Sequence, residues 1–235
     1  MKNSLIIIVL MSFLSASAQH HPIVVGAMKN VMWKGELAGL IQMDSLSKKG
    51  LYGMGPVEYL KGELMIWDGD VYQSSVVNSN DMSVKKTSTA RAPFFAYEFI
   101  DEWEEIELPE GIKSLKELEL FLDKRFSQKN TPFFFKLEGF VDSANIHIVN
   151  LPDGKVVRSP DDAHQGQINY PITNRNVSVL GFFSRNHKAI FTHHDTFIHT
   201  HLITQEKDMM GHLEEFSFSS KKLKLSVTKK QLSEN

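Results

Sequence analysis

The second half of the sequence is a succession of short apolar runs, and this pattern restricts the fold more than any other feature. The runs are rich in β-branched and aromatic residues, and turn signals such as Asp153-Gly154 and Lys221-Lys222 separate them. They read PFFFKLEGFV, ANIHIVNL, NVSVLGFFS, TFIHTHLITQ, LEEFSFSS and LKLSVTK. We therefore predict a mostly β C-terminal domain over residues 131–235.

The first half mixes strand and helix patterns. Residues 63–67 predict a strand, Asp68-Gly69 a hairpin turn, and residues 70–73 the returning strand. The apolar pattern over residues 23–46 suits a helix better than a strand. We predict a mixed α/β domain over residues 19–130, which makes the whole an α/β (α+β) protein with two sheet-centred halves.

The clearest helix signal covers residues 114–128. Ser114 and Glu117 form a capping box, which satisfies the first free backbone donors of a helix. Leu115, Leu118 and Leu122 follow at helical spacing. We expect this helix to pack one apolar face against a sheet.

The N-terminal residues form a targeting signal rather than part of the fold. Residues 1–18 combine a basic start, an apolar run too short to span a bilayer, and the small-residue pattern Ala16-Ser17-Ala18. This pattern predicts a secretory signal peptide cleaved before Gln19, with export to a periplasm or the outside. No later run approaches a membrane-spanning length, so we expect no membrane association after cleavage.

The composition narrows the partners and the possible metal ligands. The 26 basic and 28 acidic residues give a formal net charge of −2, which provides no electrostatic footprint for nucleic acid or an anionic membrane. The chain has no cysteine, so a metal site would have to use histidines and carboxylates. A chain of this size needs no disulfides to hold its core.

Histidines concentrate in one segment, where six of the ten lie between positions 187 and 212. His199 and His201 share one face of a predicted strand, because side chains at i and i+2 point the same way. The polar stretch QEKDMMG can turn the chain back and bring His212 beside them. Three convergent imidazoles are a ligand set of catalytic zinc. The alternative is a set of partly exposed strand histidines with no ligand.

Two further histidines precede this strand in polar sequence. We interpret His193 and His194 as loop residues rather than ligands. A second reading is that His194 faces the site and donates a hydrogen bond there.

Three segments resemble the alpha-acetolactate decarboxylase family. The most specific is IHTHLITQEKDMMGHLEEF, in which both histidine spacings agree with the family pattern. The segments GMGPVEYLKGELMIWDGDVYQ and VSVLGFFS are similar to two more family blocks. The resemblance covers residues 23 to 228 approximately.

The resemblance implies a fold, a metal and a reaction. It implies two α/β parts, Zn²⁺ bound by His199, His201 and His212, and Glu63 as a carboxylate that enters the site from the first domain. The implied reaction converts 2-acetolactate to acetoin and carbon dioxide. Zinc would act as a Lewis acid, and a positioned acid such as Glu63 would deliver a proton.

The family also carries an arginine suited to grip the substrate carboxylate. Counting from Lys136-Leu137-Glu138-Gly139 and back from Gly181 places that position on or beside His147. Arg158 offers an arginine nearby, but only with a shifted alignment. His147, Arg158 and His194 are therefore alternative catalytic candidates beside Glu63.

Three functions remain open at this point. The first is a zinc-dependent acetolactate decarboxylase, a carbon–carbon lyase with a small-molecule substrate. The second is a relative that keeps the zinc site but acts on a different small keto or hydroxy acid. The third is a noncatalytic metal-binding envelope protein. An arginine at a substrate carboxylate would favour the first, and a neutral pocket would favour the second. We also allow for a homodimer.

Overall fold

Two six-stranded antiparallel sheets form the body of the protein, in a computed structural model that describes residues 21–46 and 48–233. The predicted signal peptide, residues 1–18, lies outside the described residues. The first sheet has the strand order β1-β8-β3-β4-β5-β6, and β2 and β7 form a separate pair. In chain order these strands are β1 (Ile23–Val25), β2 (Ile41–Gln42), β3 (Leu51–Pro56), β4 (Glu63–Trp67), β5 (Asp70–Val76), β6 (Met82–Lys86), β7 (Arg91–Ala92) and β8 (Phe95–Phe99).

The second sheet has the order β11-β12-β13-β10-β14-β9. An additional pairing of β11 with β10 closes β10, β11, β12 and β13 into a ring of neighbouring strands. The strands are β9 (Trp103–Ile106), β10 (Phe133–Ile148), β11 (Ile168–Phe183), β12 (Ile198–Thr204), β13 (Met210–Ser217) and β14 (Leu223–Thr228). The runs PFFFKLEGFV and ANIHIVNL are thus mostly one strand, because β11 pairs with β10 along almost its whole length.

Four α-helices accompany the sheets in the described part of the chain: α1 (Met28–Lys34), α2 (Leu115–Arg125), α3 (Pro160–Ala163) and α4 (Lys229–Ser233). None of these is long and apolar enough to cross a membrane.

The predicted helix over residues 23–46 is wrong for most of its length. Ile23–Val25 is a strand paired with β8, as suits its β-branched side chains, and Gly26 then adopts a positive φ. The helix is confined to Met28–Lys34, and Gly35 ends it in the left-handed conformation at φ 68°. The periodic apolar pattern therefore predicted too long a helix, because strand pairing precedes the helix and a glycine ends it.

The hairpin and the long helix are confirmed. β4 and β5 meet at Asp68 and Gly69, both with positive φ, as a two-residue hairpin turn requires. Helix α2 begins after Ser114, whose Oγ accepts the Glu117 N–H at 3.3 Å, and it ends at Arg125. The boundary near residue 131 stays a prediction, and strand β9 from before it belongs to the second sheet.

The two sheets pack face to face through one buried apolar cluster. Met54 and Met65 of the first sheet belong to this cluster together with Phe134, Leu180 and Phe182 of the second. All five are essentially excluded from solvent. Burying such side chains contributes roughly 1.5–3 kcal/mol each to the stability of the fold, so this layer holds β3 and β4 against β10 and β11.

Glu98 in β8 is a buried carboxyl outside the histidine region, and it makes stability depend on pH. Burial raises its pKa to about 8, although the Lys230 charge and the Phe134 backbone N–H favour the ionised form. An unfolded glutamate has a pKa near 4.3, so between these values the folded chain holds an extra proton. The contribution of Glu98 to the free energy of unfolding is therefore fully present at low pH. It falls as the pH rises towards 8, by up to about 1.4 kcal/mol per pH unit.

Glu98→Gln should flatten this dependence. We expect the difference in unfolding free energy between variant and wild type to grow in favour of the variant from pH 5 to pH 8. Denaturant titrations at several pH values measure it, with the exposed Glu107→Gln as control. If the unfolding free energies of Glu98→Gln and wild type changed in parallel with pH, the raised pKa of Glu98 would be contradicted.

Candidate metal centre

Three histidines converge on the hairpin that β12 and β13 form. His199 and His201 occupy alternate positions of β12, and His201 lies directly opposite His212 in the register with β13. All three side chains are buried. One ring nitrogen from each lies within 4.8 Å of the others, close enough for a single ion to contact all three.

Backbone carbonyls fix the orientation of two of these rings. Nδ1 of His199 lies 2.6 Å from the Phe191 carbonyl oxygen, and Nδ1 of His201 lies 3.0 Å from the Leu64 carbonyl oxygen. A carbonyl only accepts, so each Nδ1 carries the proton and each Nε2 keeps its lone pair. Such Nδ1–H···O=C bonds are the usual support of metal-ligating histidines.

The two free ring nitrogens face each other. Nε2 of His199 and Nε2 of His201 lie 3.3 Å apart. Two lone pairs at this distance repel unless a cation lies between them. Zinc–nitrogen bonds of about 2.0–2.1 Å at a tetrahedral angle place two ligand nitrogens roughly 3.4 Å apart. The donor set therefore fits a metal that prefers imidazole.

Burial keeps the cluster in the metal-binding protonation state. It lowers the pKa of His201 to about 3, and it lowers the pKa values of His199 and His212 well below the ordinary range. The neighbouring imidazoles add to the effect. Neutral imidazole is the form that binds a metal ion, so these residues need not lose a proton first.

Glu63 reaches the cluster from the first sheet. It begins β4, and its Oε2 lies 3.6 Å from Nε2 of His201. Its Oε1 accepts the backbone N–H of Val149 at 3.2 Å. Burial raises the pKa of this carboxyl well above its usual value, with a smaller contribution from the charge of Glu214. The side chain is thus a buried carboxyl at the edge of the candidate metal site.

A small cavity of about 30 Å³ adjoins the cluster, with room for about one or two water molecules. Met28, Met32 and Phe94 form an apolar wall, and the polar part of the lining is Glu63, His147, His164, His193, His199 and His212. A larger pocket of about 290 Å³ shares His193 and His212 with it. These two histidines therefore line both the inner cavity and the larger pocket.

The other predicted candidates fall in different places. His147 is buried in β10 and stacks on His212, with ring centroids 4.7 Å apart and planes at 25°. Arg158 is exposed, and its backbone N–H donates to Asp162. His194 is exposed and outside the cavity lining, whereas its neighbour His193 lies in that lining.

Two residues of the site were missed by the sequence analysis. Glu214 has Oε1 at 2.6 Å from Nδ1 of His147, and His164 follows the short helix α3. The segment GHLEE already placed an acid two residues after His212. No pattern marked His164, because only the fold brings it near His147, with ring centroids 6.2 Å apart.

One protein family matches nearly the whole described part of the chain, and its match agrees with this geometry. The family model for alpha-acetolactate decarboxylase matches residues 25–234. The chain belongs to this family. The predicted resemblance is thereby confirmed, and the family is one of carboxy-lyases.

The curated relatives that this chain matches are distant in sequence. The alpha-acetolactate decarboxylases of Brevibacillus brevis and Methanosarcina mazei are 22% identical over 200 residues and 23% identical over 190. These matches cover 84% and 81% of this chain, and the chain spans about two thirds of their length, 67% and 64%.

Among solved structures, alpha-acetolactate decarboxylase from Bacillus subtilis strain 168 superposes with a TM-score of 0.72 at 18% identity, covering 88% of this chain and 85% of that one. A Staphylococcus aureus protein described as similar to the family gives 0.70 at 14% identity, covering 88% and 84%. The predicted fold class of two sheet-centred halves is confirmed by these likenesses.

Proposed function

We propose that this protein converts 2-acetolactate to acetoin and carbon dioxide at a Zn²⁺ ion held by His199, His201 and His212. The observation that carries the proposal is the pair of Nε2 atoms 3.3 Å apart beside the buried carboxyl of Glu63. Family membership supports the reaction, and the all-imidazole donor set supports zinc.

The reaction needs an electron sink and a proton donor. Loss of carbon dioxide leaves an electron pair that must move towards the neighbouring ketone oxygen. Bound zinc would supply Lewis acidity at the ketone and hydroxyl oxygens of the substrate. The carbon that lost carbon dioxide must then receive a proton.

The chain's own residues serve these steps. Glu63 presents Oε2 beside His201 and is anchored at Oε1 by Val149, so it can deliver a proton from a fixed position. The carbonyls of Phe191 and Leu64 hold two imidazoles in the metal-binding tautomer. Met28, Met32 and Phe94 exclude water from one side of the cavity, which strengthens the electrostatic interactions inside.

The test is acetoin formation from racemic acetolactate by the purified protein, with metal content measured on the same sample. We expect about one zinc per chain and acetoin well above the spontaneous rate. Bound zinc without acetoin formation would contradict 2-acetolactate as the substrate but not the zinc site. A protein that binds no zinc would overturn the proposal as a whole.

A second candidate is the same chemistry on a different small keto or hydroxy acid. The observation that favours it is the lining of the inner cavity, which among the described residues includes neither arginine nor lysine. Arg158 is exposed, and His147 occupies the region where the resemblance predicts an arginine. A panel of 2-hydroxy-3-keto acids and their neutral esters, assayed for decarboxylation or binding, separates the two candidates.

Export is a further part of the proposal. The motif at residues 1–18 supports secretion, with Gln19 as the first residue of the processed protein. N-terminal sequencing of the protein recovered from the periplasm or medium should begin at Gln19. Recovery only from the cytoplasm with Met1 intact would contradict this prediction. The homodimer likewise stays a prediction, which sedimentation analysis can test.

A further inference from the structure

A β-bulge in β13 lies where one acidic side chain meets a histidine of the cavity lining. Asn145 of β10 pairs with Glu215 and Ile146 pairs with Leu213, so Glu214 is the extra residue between them. A bulge bends its strand and changes the direction of the bulged side chain, and bulges are frequent beside active sites. Both glutamates are exposed, and the Glu214 carboxylate, whose side chain is 40% exposed, contacts His147 from the larger pocket.

The histidine that Glu214 contacts is itself firmly placed. Nδ1 of His147 lies 2.6 Å from Oε1 of Glu214, an ion-pair contact whose angle departs from that of a linear hydrogen bond. The His147 side chain is only 5% exposed, it stacks on His212, and it lines the inner cavity. A carboxylate oxygen this close would repel a nitrogen lone pair, so Nδ1 carries a hydrogen. Nε2 is then the nitrogen left for another partner.

The surroundings of His147 limit which group can be that partner. The metal-site imidazoles are oriented towards one another and towards backbone carbonyls. The rest of the polar lining consists of Glu63, His164 and His193, and no lysine or arginine contributes among the described residues. When the ring carries one hydrogen, on Nδ1, its Nε2 is a hydrogen-bond acceptor, and a hydroxyl group is the donor that a small hydroxy acid offers.

We propose that Glu214 is a positioning residue that holds His147 so that Nε2 of His147 accepts a hydrogen bond from a hydroxyl group of the substrate. This inference rests on the proposed function in taking the substrate to be a small hydroxy acid. On this proposal the Glu214–His147 pair discriminates between substrates that carry this hydroxyl group and substrates that lack it. A site built to bond a hydroxyl discriminates strongly against an analogue that lacks it, because its own polar group is left unpaired.

Binding of a stable analogue tests the pair without requiring turnover. The probe is 2,3-dihydroxy-2-methylbutanoate, which has no ketone to accept electrons and so does not decarboxylate. Calorimetric titration of the zinc-loaded wild type, Glu214→Gln and Glu215→Gln gives the three dissociation constants. We expect about a tenfold weaker binding in Glu214→Gln and a change within about twofold in Glu215→Gln, with equal zinc content in all three.

A double-mutant cycle shows whether Glu214 acts through His147. Adding Glu214→Gln to His147→Asn should produce no further loss of binding, whereas independent residues would give additive losses. The probe 3-hydroxy-2-methylbutanoate, which lacks the 2-hydroxyl group, should bind wild type and Glu214→Gln equally. Loss of zinc from Glu214→Gln would overturn the proposal, because the residue would then act through the ligand His212.

The outcomes separate this inference from the proposed function. If the wild type forms acetoin but Glu214→Gln and Glu215→Gln do not differ in binding or in kcat/KM, the inference alone is overturned. Binding of the dihydroxy acid that depends on Glu214, in a protein that makes no acetoin, supports the inference and overturns the reaction. A wild type that neither binds the probe nor makes acetoin overturns both.

Discussion

His201→Ala should abolish zinc binding and reduce acetoin formation to the spontaneous rate. His201 is the central member of the cluster, since its Nε2 lies 3.3 Å from that of His199 and its Cα is paired with that of His212. Structural zinc sites of four ligands bind with about 10–16 kcal/mol, so one ligand is worth roughly 3 kcal/mol, or about two orders of magnitude in affinity. Two remaining imidazoles would not retain zinc through purification.

The fold should survive this change. The variant loses a side chain packed between the sheets and leaves the Leu64 carbonyl without its donor, a cost of about 1–3 kcal/mol. Circular dichroism should therefore show the same β-rich spectrum with a lower unfolding midpoint. The control is His194→Ala, an exposed histidine outside the cavity lining that should keep its zinc and its activity. Stoichiometric zinc in His201→Ala would show that the hairpin does not form the site.

The histidine hairpin could be predicted because its determinants are local. Alternation along a strand placed His199 and His201 on one face, and the polar, glycine-ended turn placed His212 beside them. The β4–β5 hairpin and helix α2 were predictable for the same reason, since turn and capping residues lie within a few positions of one another. Sequence patterns describe such short-range structure well.

Contacts distant in sequence were not predictable from pattern. Glu63 meets Val149 across 86 positions, and only the family resemblance singled it out beforehand. Glu214 was missed because its partner, His147, lies on another strand and far away in the sequence, and no local pattern of β13 indicates that contact. His193 was taken for a loop residue, which it is, but the loop turns it into the cavity lining.

Glu63→Gln should keep zinc and lose turnover. Glutamine matches glutamate in size, and its amide oxygen can still accept the Val149 N–H, so the side chain should stay in place. None of the three imidazole ligands is altered. The amide cannot act as an acid towards the substrate carbon, and loss of a positioned proton donor typically costs about 10²–10⁴-fold in rate. We expect kcat to fall within that range at unchanged zinc content.

The division between kcat and KM decides what Glu63 does. A proton donor contributes in the transition state, so kcat and kcat/KM should fall together while KM changes little. Glu98→Gln is the matched control, because it replaces another buried glutamate of the same sheet that is outside the cavity lining. A raised KM with normal kcat would instead make Glu63 a substrate-binding group. Unchanged kinetics would leave protonation to solvent.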